Sequence, residues 1–202
     1  MELASIEHEL FVVEGLSAAN AIGKVCEPTT QYVYAMQGKP MNVVRASNGE
    51  IRSNERVGEL TRRILRNRAE GFDPDHIPFS RVILLADADV DGVHAKALLL
   101  VMIAHVLPEL IERGQLFTVR APLFSTRCAE MDRPVYSYSP EGRNSVLDQL
   151  AARQATKVES NHYKGIASMN SEDIWDACIN PETRHMTVLT AEHVAAARSV
   201  LG

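Results

Sequence analysis

Three acids stand on alternate positions in the stretch ILLADADVDGVHA: Asp87, Asp89 and Asp91, directly after an aliphatic run. Like charges this close repel, and one of them then tends to stay protonated. A hard divalent cation removes the conflict, because its preferred ligands are oxygens. The spacing D-x-D-x-D-G first suggests an EF-hand calcium loop. Two features oppose that: Leu98 stands at the twelfth loop position, where a bidentate Glu belongs, and the preceding residues read as a buried strand, not a helix. A solvated turn with helix-capping acids accounts for one Asp and poorly for three. Mg2+ takes one or two carboxylates, keeps several waters and completes its shell with substrate phosphate oxygens. Phosphatases and receiver domains also carry Asp at strand ends, so the motif alone leaves the chemistry open.

Glu14 narrows the choice. FVVEGLSAANA is a second strand–acid–glycine–helix unit. In a parallel sheet Glu14 would face Asp87 across neighbouring strand ends. Glu14, Asp87 and Asp89 together would then hold a metal beside the N-terminus of the helix after Gly15, an end that favours phosphate. Taken singly, Glu-Gly at a strand end is an ordinary turn.

The elements that must position these acids are legible as short aliphatic or β-branched runs at 9–13, 32–36, 81–86 and 116–120. Helical patterns lie between them at 17–25, at 53–70 with Ser53 as N-cap, and at 93–113. The last is apolar almost all round, interrupted near Pro108 and closed by Gly114. Apolar strands alternating with helices predict a parallel sheet covered on both faces, with ligands at the carboxyl ends of the strands. After about Pro122 the pattern becomes strand-and-turn-like, with a helix near 144–155. A capped helix start follows at MNSEDIWDACI, with Asn170 or Ser171 before an acidic first turn. The expectation is an α/β domain over 1–124 and a smaller α+β extension over 125–202.

Composition sets outer limits. The chain has 202 residues, 46% hydrophobic and 23% charged, enough for a packed core. Its net charge of −5 advertises no overall attraction to nucleic acid, though a local basic face can coexist with an acidic site. Residues 43–70 hold seven Arg against four Glu, a local excess of 7 − 4 = +3, read as the solvated face of an amphipathic helix in preference to a DNA- or partner-facing surface. Cys26, Cys128 and Cys178 are odd in number and widely spaced, so reduced thiols are expected. MELASIEHEL has neither a basic nor an apolar leader region, and the most apolar run, 95–106, is too short to span a bilayer. A soluble, cytoplasmic protein with no membrane partner is expected.

Four blocks, VEGLSAA, QGKPMNV, LLADADVDGVHAKALLL and HYKGIASMN…IWDACINPETR, resemble in order and spacing the toprim and tail regions of bacterial type IIA topoisomerase B subunits. Those are the B subunits of DNA gyrase and topoisomerase IV, whose segments read EGDSA, RGKxLNV, DADVDGxH and YKGLGEM. The resemblance runs from about Glu9 to about Leu201. It implies a toprim (Rossmann-like) parallel sheet flanked by helices, with a tail extension. It also implies that Glu14, Asp87, Asp89 and Asp91 bind Mg2+ at the scissile phosphate of double-stranded DNA. Glu14 with Asp87 would hold the catalytic ion, and Asp87 with Asp89 a second. The ion there acts as a Lewis acid and stabilises the leaving oxygen. A gyrase A-like partner would supply the nucleophilic tyrosine, and none of the five tyrosines here matches such a motif. Lys39, His94 and Lys164 match positions near DNA or the subunit interface. ATP would enter only through an ATPase domain, in cis or trans, that these residues do not include. The expectation is an excised piece or a small separate subunit of an ATP-dependent type II topoisomerase, inactive alone.

Several flanking positions depart from the family pattern. Leu16 stands for the Asp of EGDSA, Ala19-Asn20 for the following double Gly, and Gly23 and Cys26 for basic residues. Gln37 replaces the Arg of RGK, and Ala167 and Ser168 replace Gly and Glu of YKGLGEM. This suggests a divergent paralogue with weaker phosphate contacts. Two other readings stand beside it: a non-catalytic module that binds a gyrase-like subunit or DNA and regulates or protects it, and a free-standing nuclease or primase-like enzyme. The tail block argues against the latter.

Overall fold

The computed structural model describes residues 7–66 and 77–202. Its main sheet has the order β2-β1-β3-β4-β8. The parallel strands are β1 (Glu9–Glu14), β2 (Gln31–Met36), β3 (Arg81–Ala86) and β4 (Leu116–Arg120), at the places expected from sequence. An antiparallel strand, β8 (Met186–Val188), closes the β4 edge.

Both faces of the sheet are covered, which is why β1 and β3 are apolar at consecutive positions rather than alternating. Leu10, Val12, Val82 and Leu84 point into one core, while Phe11, Val13, Ile83 and Leu85 point into another. The first core is closed by α2 (Asn48–Ser53), α3 (Glu55–Ile64), α4 (Val90–Val106), α5 (Glu109–Glu112) and α8 (Ala191–Leu201). The second is closed by α1 (Leu16–Gly23) and by residues 163–179. α4 is apolar almost all round because it lies beneath α8 as well as on the sheet. It ends where expected. Leu107, before Pro108, leaves helical geometry at φ −140° and ψ 62°.

One helix differs from expectation. The helix placed at 53–70 starts at Glu55 as α3, and Ser53 is the last residue of a separate helix before it, α2, not an N-cap. Ser47 starts α2 earlier through a capping box: the Glu50 N–H donates to Ser47 Oγ at 3.3 Å and the Ser47 N–H to Glu50 Oε2 at 2.8 Å. Asn54 breaks the run in extended geometry and caps α3, its Oδ1 accepting from the N–H groups of Arg56 and Val57. Residues 67–70 of the expected helix lie outside the described residues. α3 buries Val57, Leu60 and Ile64, as an amphipathic helix should. The arginines of α3 and of the turn after it are not purely solvated, however. The Arg66 guanidinium lies 4.4 Å from the Tyr32 ring centre, and Arg56 Nη1 donates to the Lys39 carbonyl at 3.4 Å.

Past 124/125 the chain builds a second, antiparallel sheet, β6-β5-β7, from β5 (Phe124–Arg127), β6 (Val135–Ser137) and β7 (Glu159–His162). The helix expected near 144–155 is α6 (Pro140–Ala152). It starts earlier because Ser139 Oγ accepts from the Gly142 N–H at 3.1 Å and Pro140 suits the first helical position. The chain then returns to the main sheet through α7 (Ser171–Ile174), a π-helical turn at Trp175–Ile179, β8 and α8. Val194 and Leu201 of α8 join the same core as Leu98 and Met102 of α4, so residues on either side of 124/125 share one core.

Candidate metal centre

Register brings two of the acids together. β1 and β3 are adjacent and parallel, with Val13 opposite Leu85. Glu14 is therefore one residue past that pair on β1 and Asp87 two residues past it on β3, both at the carboxyl end of the sheet. Asp89 and Asp91 follow at the start of α4.

Each aspartate has a different environment. Asp87 is half-buried, and its Oδ1 accepts the Ile166 N–H at 2.7 Å. That is its one hydrogen bond among the described residues. Two glycines permit the fit: a Cβ on Gly92 would lie 2.3 Å from the Asp87 carbonyl oxygen, and one on Gly165 would lie 2.7 Å from Asp87 Oδ2. Asp89 is exposed and caps α4, its Oδ1 accepting the Gly92 N–H at 2.7 Å. The capping explanation thus holds for one acid of the three. Asp91 is exposed in the first turn of α4, where the helix dipole favours an acid.

Glu14 reports the summed field. Burial first, then the charges of Asp87, Asp89 and Asp91, raise its carboxyl above the ordinary glutamate value, with Lys39 opposing. The acids are thus close enough to interact, yet among the described residues no three of them gather into a ready cation cage. Asp87 and Asp89 each take a backbone N–H instead, from Ile166 and Gly92.

The three basic candidates divide between two clefts. Lys39 and His94 line one of about 470 Å³, with Arg45 and Asn42. Lys164 lines another of about 220 Å³, which includes Asp89, Gly165 and Ile166. Gln37 and Lys39 are exposed on the loop after β2, which Arg56 braces. α1 begins with no side-chain cap and with Leu16 exposed, so its first N–H groups keep no side-chain partner.

Two buried ionic clusters escaped the sequence reading. At the opposite end of β1, Glu9 accepts from Arg184 at both oxygens, from Gln31 Nε2 at 3.0 Å and from Arg81 Nη1 at 3.2 Å. Burial would raise Glu9, but the hydrogen bonds and charge of Arg184, then Gln31 and Arg81, hold its carboxyl below the usual range. In the tail, Asp173 is 1% exposed and accepts from Tyr163, Arg127, Tyr136 and Asn170. Burial would raise its carboxyl, but the bonds from Tyr163, Arg127, Tyr136 and Asn170 hold it below the usual range. Sequence alone places Asp173 in a solvated first turn. Of its four donors only Asn170 is local, while Arg127 and Tyr136 come from β5 and β6, so no local signal marks its burial. Among the described residues no helix is long and apolar enough to cross a membrane, and Cys26, Cys128 and Cys178 are free thiols.

Comparison with known proteins agrees with this geometry. The family model for the Toprim domain matches residues 9–120. The DNA gyrase B subunit of Thermotoga maritima is 30% identical over 184 residues, which cover 91% of this chain and 28% of that protein. The DNA gyrase B subunit of Micrococcus luteus is 31% identical over 195 residues, 95% of this chain and 27% of that protein. The chain thus spans less than a third of the length of these relatives.

Proposed function

The chain belongs to the Toprim domain family, and from that premise we propose that it is the Mg2+-holding, DNA-cleaving half of a type IIA topoisomerase. In this reading it acts with a gyrase A-like subunit that supplies the tyrosine, and with an ATPase domain that supplies the energy of strand passage. The observation that carries the reading is the concentration of negative charge at the carboxyl ends of β1 and β3, where burial and then the charges of three aspartates raise Glu14. Like charges are retained at such an end when a cation or its substrate neutralises them in use.

The donor set fits Mg2+. A pair of carboxylates with room for water and phosphate oxygens is its usual protein share, and a cage of three or more is not needed. Glu14 and Asp87 would hold one ion, and Asp87 with Asp89 a second. When bound, the ion supplies Lewis-acid stabilisation of charge on the phosphate and the leaving oxygen. The residues of the chain do the rest. Asp87 is steadied by the Ile166 N–H at Oδ1, and its Oδ2 takes no hydrogen bond among the described residues. Lys39, His94 and Lys164 line clefts beside the acids, where a DNA backbone would find positive charge.

The test is reconstitution with a gyrase A-type subunit and an ATPase domain, counting covalent tyrosyl–DNA adducts in Mg2+. Asp87→Ala and Glu14→Ala are each expected to lower adduct formation about a hundredfold or more. Adduct levels and relaxation rates equal to wild type would remove the catalytic reading. A regulatory module that keeps its acids for folding is the second reading, favoured by the departures from the family pattern at Leu16, Gln37, Ala167 and Ser168. It expects binding to the partner with adducts indifferent to both substitutions.

A further inference from the structure

We propose that Tyr163 and Asp173 are positioning residues for Asp87, acting through the backbone of Gly165 and Ile166. The inference rests on the metal-holding reading of Asp87 and adds to it the residues that fix how this carboxylate is presented. Asp173 lies in the second core, 1% exposed, and its Oδ2 accepts from both the Tyr163 hydroxyl and Asn170 Nδ2. Its Oδ1 accepts from Arg127 Nη2 at 2.7 Å and from the Tyr136 hydroxyl at 3.0 Å. Four donors from four parts of the tail thus hold one carboxylate rigid.

Tyr163 is fixed at two more points. Its oxygen is 2.6 Å from Ser125 Oγ on β5, and its backbone N–H donates to the Leu123 carbonyl at 2.8 Å. Two residues on, Gly165 lies against Asp87 so closely that a Cβ would sit 2.7 Å from Oδ2. Three residues on, the Ile166 N–H donates to Asp87 Oδ1 at 2.7 Å. The Ile166 side chain is buried beside Tyr163 in the same core, which leaves this short segment little freedom to slide. The path from Asp173 to Asp87 therefore runs through one aromatic side chain and three consecutive peptide units. It engages one Asp87 oxygen and leaves the other for a cation, which is how an outer shell orients a ligating carboxylate.

Tyr163→Phe removes one oxygen and keeps the ring, and Ser125→Ala removes the smaller neighbour. Both variants are compared with wild type at a temperature well below their own unfolding midpoints. The readouts are Mn2+ affinity, from the electron paramagnetic resonance signal of free Mn2+, and the hydrogen-exchange rate of the Ile166 amide. The expected result for Tyr163→Phe is a loss of about tenfold in Mn2+ affinity. Ile166 exchange should quicken about tenfold while Leu84 and Leu85 keep wild-type protection. Ser125→Ala should move both readouts in the same direction by less. A lower melting temperature with Ile166 exchange and Mn2+ affinity unchanged would mean that the cluster only stabilises the fold, and would overturn the proposal. If wild type itself binds no Mn2+, the metal reading fails, and Ile166 exchange alone decides whether Tyr163 positions Asp87.

Discussion

Strand β1 carries a glutamate at each end, and the two have opposite surroundings. Glu9 is buried against Arg184, with Gln31 and Arg81 completing its bonds, and its carboxyl titrates below the ordinary value. Glu14, at the other end of the strand, is half-exposed among three aspartates and titrates above it. The residue type is the same, so the difference lies in the partners. At the Glu9 end, among the described residues, the charge of Glu9 is answered by Arg184 and Arg81, and that end closes the fold. At the Glu14 end, among the described residues, Lys39 opposes three like charges. Parallel sheets offer their carboxyl ends to ligands, and here that is the end left electrostatically open.

The comparison breaks first at Glu9. Glu9→Gln leaves Arg184 buried without its counter-charge, and a loss of about 3–5 kcal/mol in urea unfolding is expected. Loss of under 1 kcal/mol would show that the closed end is not what holds the tail to β1. Asp173→Ala strips Tyr163, Tyr136 and Arg127 of their acceptor. The expected loss is about 2–3 kcal/mol, because Arg127 is partly exposed and can be rehydrated.

The smallest effect has the opposite sign. Glu14→Gln removes repulsion and should raise stability at pH 7 by about 0.5–1 kcal/mol. The pH dependence separates the two ends. Because the Glu9 carboxyl is lowered in the fold, its contribution is full above the ordinary value of 4.5 and is lost as pH falls through the folded value. Glu14 is raised, so its contribution is full below 4.5 and is lost as pH rises through its folded value. Melting curves from pH 4 to 8 should show the advantage of Glu14→Gln growing with pH. A constant offset would mean that the acids around Glu14 do not interact with it.

Much of this architecture is written in local patterns. Apolar runs at 9–13 and 81–86 mark buried parallel strands because both faces are covered, and the helix break at Pro108 follows from proline geometry. The placement of Glu14 and Asp87 at neighbouring strand ends was also legible, since β1 and β3 pair in parallel. What escaped depends on long-range contacts. Glu9 and Arg184 are 175 residues apart, and nothing near either announces the other. Asp173 sits in the first turn of a capped helix, where an acid is ordinarily solvated, and only the arrival of β5, β6 and Tyr163 buries it. Ser53 failed as a cap because it ends α2, which Ser47 caps, while the next residue, Asn54, caps α3 by accepting from Arg56 and Val57.

The most direct measurement of the difference between the two ends of β1 is the melting temperature with and without Mg2+. At a Mg2+ concentration about a hundred times its Kd, wild type should gain about 2.7 kcal/mol, several degrees in Tm. Glu9→Gln, though less stable, should keep that gain, while Glu14→Gln and Asp87→Asn should lose most of it. An equal rise in all four proteins, or a rise lost only in Glu9→Gln, would contradict the assignment of the open end as the metal-holding site.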